Sequence, residues 1–154
     1  MIVVNNKEEL KALIHQRIKE QGPNCNLNDL DVSGITDMSF LFSNTEFNGD
    51  ISQWDVSNVE DMSAMFADST FDGDISNWDV SNVKYMSVMF HDSPFNGDIS
   101  KWDVSNVRYM YCMFLGSEFN GDLSNWNVCT TETTGMFRES ELEVNGKLPS
   151  WYNE

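Results

Sequence analysis

Apolar and polar positions repeat along this chain with a period of 24 residues. Residues 47–59, 71–83 and 95–107 read FNGDISQWDVSNV, FDGDISNWDVSNV and FNGDISKWDVSNV, and residues 119–128 read FNGDLSNWNV. A fixed period of this length is typical of repeat proteins, in which one structural unit packs against copies of itself. The pattern therefore predicts a continuous hydrophobic core that neighbouring repeats share.

Two hydrophobic periods follow one another inside each repeat. Residues 54–57 (WDVS) alternate apolar and polar side chains, which predicts a short strand. Residues 59–66 (VEDMSAMF) carry apolar side chains at helical spacing, which predicts one or two helical turns. The expected fold class is α/β: a right-handed, leucine-rich-repeat-like solenoid of short parallel strands and short helical turns, with an N-terminal capping helix.

The chain is expected to form a single structural domain with a capping helix over residues 1–22 and a repeat solenoid over residues 23–154. Asn6 and Glu9 form a capping box before an apolar stripe, and Gly22-Pro23 is a helix stop signal. Terminal repeats are degenerate because one of their sides faces water. Coils are expected near residues 23–46, 47–70, 71–94, 95–118 and 119–142, with a partial coil at 143–154.

The unit FNGDISxWDVSNVxxMSxMF resembles the repeat of the BspA-type leucine-rich repeat surface proteins, a bacterial repeat family of unknown function. The resemblance extends over most of the chain, from about residue 23 to residue 151. It implies a repeat scaffold that is often displayed on the cell surface, with adhesion or binding proposed for some members. The resemblance supplies no catalytic residue.

Net charge narrows the classes of partner. The 154 residues include 25 acidic and 9 basic side chains, for a formal net charge of −16. This excess opposes contact with nucleic-acid phosphates and with anionic membranes, and it favours basic proteins. We therefore expect a protein partner with a basic surface, no direct nucleic-acid contact and no membrane insertion. The sequence leaves the oligomeric state open.

The three cysteines do not form a recognisable framework. Cys25, Cys112 and Cys129 occupy unrelated repeat positions without metal-ligand spacing, so we expect free, mostly buried thiols, no metal and no cofactor. The first residues lack the pattern of a secretory signal, and no stretch approaches the roughly 20 apolar residues of a membrane span. These features favour a cytoplasmic protein, and surface display would require a trimmed sequence or another export route.

Aspartates that recur at an outward-facing position are the main candidate site. Their carboxylates would lie about 4.8 Å apart in neighbouring coils, so their mutual repulsion has to be offset. Three hypotheses remain open: hydrogen bonds within each turn, an acidic face for a basic partner, and bound Ca²⁺. The first aspartate column is Asp31, Asp55, Asp79 and Asp103. The second is Asp50, Asp74, Asp98 and Asp122.

Variable positions within the repeat are further candidates, because solvent-facing positions are where repeat proteins make contacts. One variable column next to the tryptophans is Gln53, Asn77, Lys101 and Asn125. On the helical side, Tyr85 and Tyr109 are expected to stack in register and to anchor a partner. The alternative for both sets is ordinary surface filling.

No arrangement in the sequence indicates catalysis. His15 and His91 adjoin no motif for nucleophilic or metal chemistry, and the repeated carboxylates occupy like environments, unlike an acid–base pair. We expect a non-enzymatic protein-binding repeat scaffold whose acidic face meets a basic protein, with surface adhesion as one form of that binding. Two alternatives remain open: an acidic decoy that blocks a nucleic-acid-binding protein, and a calcium-stabilised structural module.

Overall fold

A computed structural model describes residues 1–128 and 131–154. The described residues form two short strands and two helices: β1 (Ile2–Val3), α1 (Lys7–Gln21), β2 (Leu30–Asp31) and α2 (Glu141–Val144). Strands β1 and β2 pair in parallel, with Ile2 opposite Leu30 and Val3 opposite Asp31. Regular secondary structure is therefore concentrated near the ends of the chain, and the repeats between them are built mainly from turns.

The predicted α/β solenoid, with a strand and a helical turn in each coil, is wrong. In the described part of the chain, residues 54–57 form no strand and residues 62–66 form no helix. Between repeats, the described residues pair in parallel only through isolated bridges, such as Asp61 with Tyr85 and Tyr85 with Tyr109. The leucine-rich-repeat architecture is accordingly not shown.

The backbone around each MSxMF motif explains why no helix forms there. Ala64, Val88 and Cys112 have φ angles of 54°, 64° and 51°, a left-handed conformation that a right-handed helix does not contain. The N–H groups of Met62 and Ala64 donate to carbonyl oxygens of the next repeat, both at 2.9 Å. These bonds replace the bonds to the fourth preceding residue that define an α-helix.

The apolar repeat positions form the core, as the sequence pattern predicts. Phe66 is fully buried, and its ring stacks on Phe71 with centroids 4.2 Å apart and on Phe90 with centroids 5.7 Å apart. The indole N–H of Trp78 donates to the carbonyl of Ile51 at 3.2 Å, which satisfies a buried donor. The same bond recurs at Trp54, Trp102 and Trp126. Neighbouring repeats are therefore joined both by ring packing and by a buried hydrogen bond.

Helix α1 follows from its capping residues. The Asn6 side chain accepts from the N–H of Glu9 at 2.9 Å. The Glu9 carboxylate accepts from the N–H of Asn5 at 2.8 Å, so the return bond of the capping box lies one residue earlier than predicted. Leu10 and Ile14 are buried in the core, which allows α1 to cover the first repeat.

Two of the three cysteines fall within the described residues. Cys25 is a buried free thiol, and Cys112 is a partly exposed one. Cys129, which the sequence predicts to be free, lies outside the described residues. Across residues 1–128 and 131–154, no helix combines the length and apolar character needed to cross a membrane.

Candidate binding face

Each aspartate of the first column closes a turn with the serine two residues later. Oδ1 of Asp55 accepts from the N–H of Ser57 at 3.0 Å and from its hydroxyl at 2.6 Å. The other three pairs make the same two bonds: Asp31 with Ser33, Asp79 with Ser81 and Asp103 with Ser105. The first of the three hypotheses for this column, hydrogen bonding within the turn, therefore matches the geometry.

The second aspartate column repeats this turn on the preceding segment. Oδ1 of Asp74 accepts from the N–H of Ser76 at 2.9 Å and from its hydroxyl at 2.7 Å. Asp50 and Asp98 make both bonds to their serines, and Asp122 accepts from the N–H of Ser124. Each of the three middle repeats consequently carries two aspartates that the backbone holds in a fixed orientation.

The serine turns lower the pKa of seven of these eight carboxylates. The hydroxyl and the N–H of Ser57 lower the pKa of Asp55, against smaller upward effects of burial and of the Asp31 charge. The N–H and hydroxyl of Ser76 likewise lower the pKa of Asp74. The same serine contacts lower the pKa of further column members, namely Asp31, Asp50, Asp98, Asp103 and Asp122. The lowered pKa values favour the charged form of these seven carboxylates.

The variable column lies within the same segment of the repeat. Gln53, for example, stands between Asp50 of the second aspartate column and Asp55 of the first. All four members of the variable column are exposed: Gln53, Asn77, Lys101 and Asn125. We call the two aspartate columns together with this variable column the acidic face. It combines a repeated negative charge with side chains that differ from repeat to repeat.

The predicted stacking of Tyr85 on Tyr109 is present. Their ring centroids are 5.6 Å apart and their planes are parallel. Tyr111, which sequence reasoning missed, lies 5.7 Å from Tyr109, and all three rings are more than one-third exposed. An open groove of about 440 Å³ adjoins Tyr109 and Tyr111, and Arg108 and Glu132 complete its lining. These rings form a tyrosine platform, and the replacement of MSxMF by MYCMF was the available sequence signal for Tyr111.

Sequence reasoning also missed a cluster of Asp68, His91 and Asp92, which we call the acid–imidazole cluster. Nδ1 of His91 is 3.6 Å from a carboxylate oxygen of Asp68, and Nε2 is 3.5 Å from one of Asp92. Asp68 and Asp92 are 24 residues apart, and His91 directly precedes Asp92. The repeat period was thus the signal that could have brought these three residues together.

A family model described as "Mycoplasma protein of unknown function, DUF285" matches residues 10–94 and again residues 70–154. The chain belongs to the DUF285 family. Two matches within one DUF285 chain agree with its tandem repeats. The match assigns no function, and the narrower resemblance to BspA-type surface proteins stays a prediction. No curated protein and no solved structure gives a significant match.

Proposed function

We propose that this DUF285 chain is a non-enzymatic repeat scaffold that binds a protein with a basic surface through the acidic face. The supporting observation is the way its carboxylates are held. In Asp55, Asp79 and Asp103, Oδ1 accepts the bonds from serine, whereas Oδ2 receives no hydrogen bond from any described residue. One oxygen of each carboxylate fixes the orientation, and the other is left for a partner.

Fixed carboxylates favour binding because their conformational entropy is already lost in the free protein. The formal net charge of −16 would attract a basic partner over a distance and accelerate association at low salt. The variable column supplies the differences between repeats that a specific partner requires. The tyrosine platform offers a second anchor, because exposed tyrosines combine a large apolar surface with a polar hydroxyl. Adhesion would be the same binding by a chain displayed on a cell surface.

The decisive variant changes Asp55, Asp79 and Asp103 together to Asn. Asparagine keeps Oδ1 as an acceptor for serine, so the turns are retained while three negative charges are lost. The matched control changes Glu8, Glu46 and Glu118 to Gln, which removes the same charge from exposed positions outside the acidic face. Binding is measured by affinity capture from lysate of the source cells, and the melting temperature of each protein is recorded.

The expected result is a basic protein that the wild type and the glutamate control retain and that the aspartate variant loses, with all three melting temperatures alike. Capture should also weaken as salt is raised, because exposed charges are screened within about 10 Å at 0.1 M salt. Equal capture by the aspartate variant and the wild type would contradict the proposal. The tyrosine platform would then be the remaining candidate for the binding surface.

A further inference from the structure

We propose that Asp68, His91 and Asp92 bind a divalent first-row transition-metal ion, with Zn²⁺ as the natural probe. One ligand atom from each residue lies within 4.8 Å of the other two, the one such group found among residues 1–128 and 131–154. An imidazole nitrogen with two carboxylate oxygens is a ligand set that Zn²⁺ accepts, and imidazole disfavours Ca²⁺ and Mg²⁺. The inference stands apart from the proposed function, because none of the three residues belongs to the acidic face.

The imidazole–carboxylate distances within the cluster are longer than those of hydrogen-bond partners. The two imidazole–carboxylate distances of 3.5 and 3.6 Å exceed the roughly 2.7–2.9 Å of a charge-assisted hydrogen bond. Two ligands on one tetrahedral Zn²⁺ are about 3.3–3.4 Å apart when each bond is about 2.0–2.1 Å. The two carboxylates face different ring nitrogens, so binding through one nitrogen requires one aspartate side chain to rotate.

The two aspartates differ from all the others in their hydrogen bonds. The chain has 14 aspartates, and within the described residues Asp68 and Asp92 alone accept no hydrogen bond. Pro94, two residues after Asp92, has neither an N–H nor a hydroxyl to donate. Thr70, two residues after Asp68, gives its N–H to the carbonyl of Thr45 at 3.3 Å. Both carboxylates therefore keep all of their acceptor capacity for an ion.

Glycine at position 116 makes room for one of the ligands. A Cβ atom there would lie 2.0 Å from Oδ1 of Asp92. Asn44, Asp68 and Asp92 hold the equivalent position in the earlier repeats, so glycine is a departure from the pattern at the repeat that follows Asp92. The Cβ atom of any other residue at position 116 would clash with the Asp92 carboxylate. A substitution of Gly116 is therefore a way to disturb the cluster without changing any of its three residues.

The cluster is open to solvent, with side-chain exposures of 46% for Asp68, 27% for His91 and 56% for Asp92. Water can therefore complete the coordination of an ion held by three protein ligands. A zinc site with three protein ligands and an open fourth position is the arrangement of catalytic sites, whereas structural sites close all four positions. We accordingly expect reversible binding, with the ion not required for folding.

The test is calorimetric titration of Zn²⁺ into the full chain, repeated with Co²⁺, whose visible absorption reports ligand geometry. His91→Ala and Asp92→Asn should each weaken Zn²⁺ binding at least about tenfold, the scale on which even outer-shell changes act at metal sites. His15→Ala is the control, because His15 in α1 is the only other histidine. The His15→Ala variant should bind Zn²⁺ with the affinity of the wild type.

A further variant and melting temperatures test whether misfolding, rather than loss of a ligand, causes any loss of Zn²⁺ binding. Gly116→Asn should also weaken binding by displacing the Asp92 carboxylate, and asparagine tolerates the φ of 66° at that position. Melting temperatures without metal should be close to wild type for His91→Ala and Asp92→Asn. The proposal is overturned if the wild type takes up no Zn²⁺, or if His91→Ala binds as tightly as the wild type.

Discussion

The aspartates of the acidic face and those of the acid–imidazole cluster belong to the same repeats, yet their surroundings are opposite. Asp55 is followed two residues later by Ser57, whose N–H and hydroxyl both bind Oδ1. Asp92 is followed two residues later by Pro94, which supplies no donor, and its carboxylate faces His91 instead. Asp55 and Asp92 therefore differ in whether the residue two positions further on offers donors to the carboxylate, and at Asp68 the corresponding Thr70 gives its N–H to Thr45 instead.

Departures from the repeat are consequently more informative than the repeat itself. Residues 66–71 read FADSTF and residues 90–95 read FHDSPF. The two changes between them introduce the imidazole of His91 and Pro94, which offers Asp92 no donor. Residues that recur in every repeat contribute to the fold of each repeat. The two substitutions instead lie next to Asp92, where one imidazole and two carboxylates come together.

The largest expected effect comes from removing the acceptors of the first aspartate column. Changing Asp55, Asp79 and Asp103 to Ala leaves the donors of three serines without their partner. At about 0.5–1.5 kcal/mol for each site, the triple variant should lower the free energy of unfolding by about 2–4 kcal/mol. Urea denaturation measures the loss, and the corresponding Asn variant, which keeps Oδ1, should lose clearly less.

The matched control for that prediction is the pair Asp68→Asn and Asp92→Asn. Asparagine is chosen because these positions have φ angles of 53° and 45°, which asparagine adopts readily. Neither carboxylate accepts a hydrogen bond within the described chain, so the control should stay within about 0.5 kcal/mol of wild type. A control that is as unstable as the column variant would remove the distinction between the two groups of aspartates.

The sequence predicts the repeat period and the buried positions, because Trp54, Val56 and Phe66 recur at fixed spacing and burial follows from that spacing. The fold class was wrong for a local reason. Left-handed backbone at Ala64 and Val88 interrupts what reads as helical spacing, and neither side chain signals that conformation. The predicted strands likewise require backbone–backbone hydrogen bonds between repeats, which residues 54–57 do not make.

The candidate sites also differ in how far the sequence predicts them. The aspartate columns and the stack of Tyr85 on Tyr109 could be read from the sequence, because their members share one repeat position. The repeat pattern does not predict the acid–imidazole cluster. It brings two repeat positions together, and the direction of His91 between Asp68 and Asp92 depends on the path of the intervening turns.

Acid titration should separate the stabilising serine bonds from the repulsion between carboxylates. The pKa values of Asp55, Asp74 and Asp103 are lower in the folded chain because serine donors bind their carboxylates. Such groups stabilise the fold above their unfolded pKa, and they lose that contribution as the pH falls through the folded pKa. The melting temperature should therefore be level from neutral pH to about 5 and should fall below about 4.

Serine variants identify the source of that acid dependence. Changing Ser57, Ser81 and Ser105 to Ala removes three hydroxyl donors and keeps the backbone donors. The variant should melt at a lower temperature than the wild type at neutral pH. Its melting temperature should then fall less than that of the wild type on acidification. A wild-type melting temperature that instead rises below about pH 4 would mean that repulsion within the columns exceeds the serine bonds.

The smallest expected effect on stability, and the most direct exchange between the two classes of aspartate, comes from Pro94→Ser. This change places an N–H and a hydroxyl two residues after Asp92, as at the aspartates of the acidic face, so a serine turn should compete with His91 and with Zn²⁺ for the carboxylate. Zinc affinity should fall several-fold while the free energy of unfolding changes by about 0.5 kcal/mol or less. Pro94→Ala restores the N–H without the hydroxyl and should lie between wild type and Pro94→Ser. If calorimetry gives equal Zn²⁺ affinities for all three proteins, the residue two positions on does not control the role of Asp92, and the cluster owes its geometry to Gly116 and to the path of the chain alone.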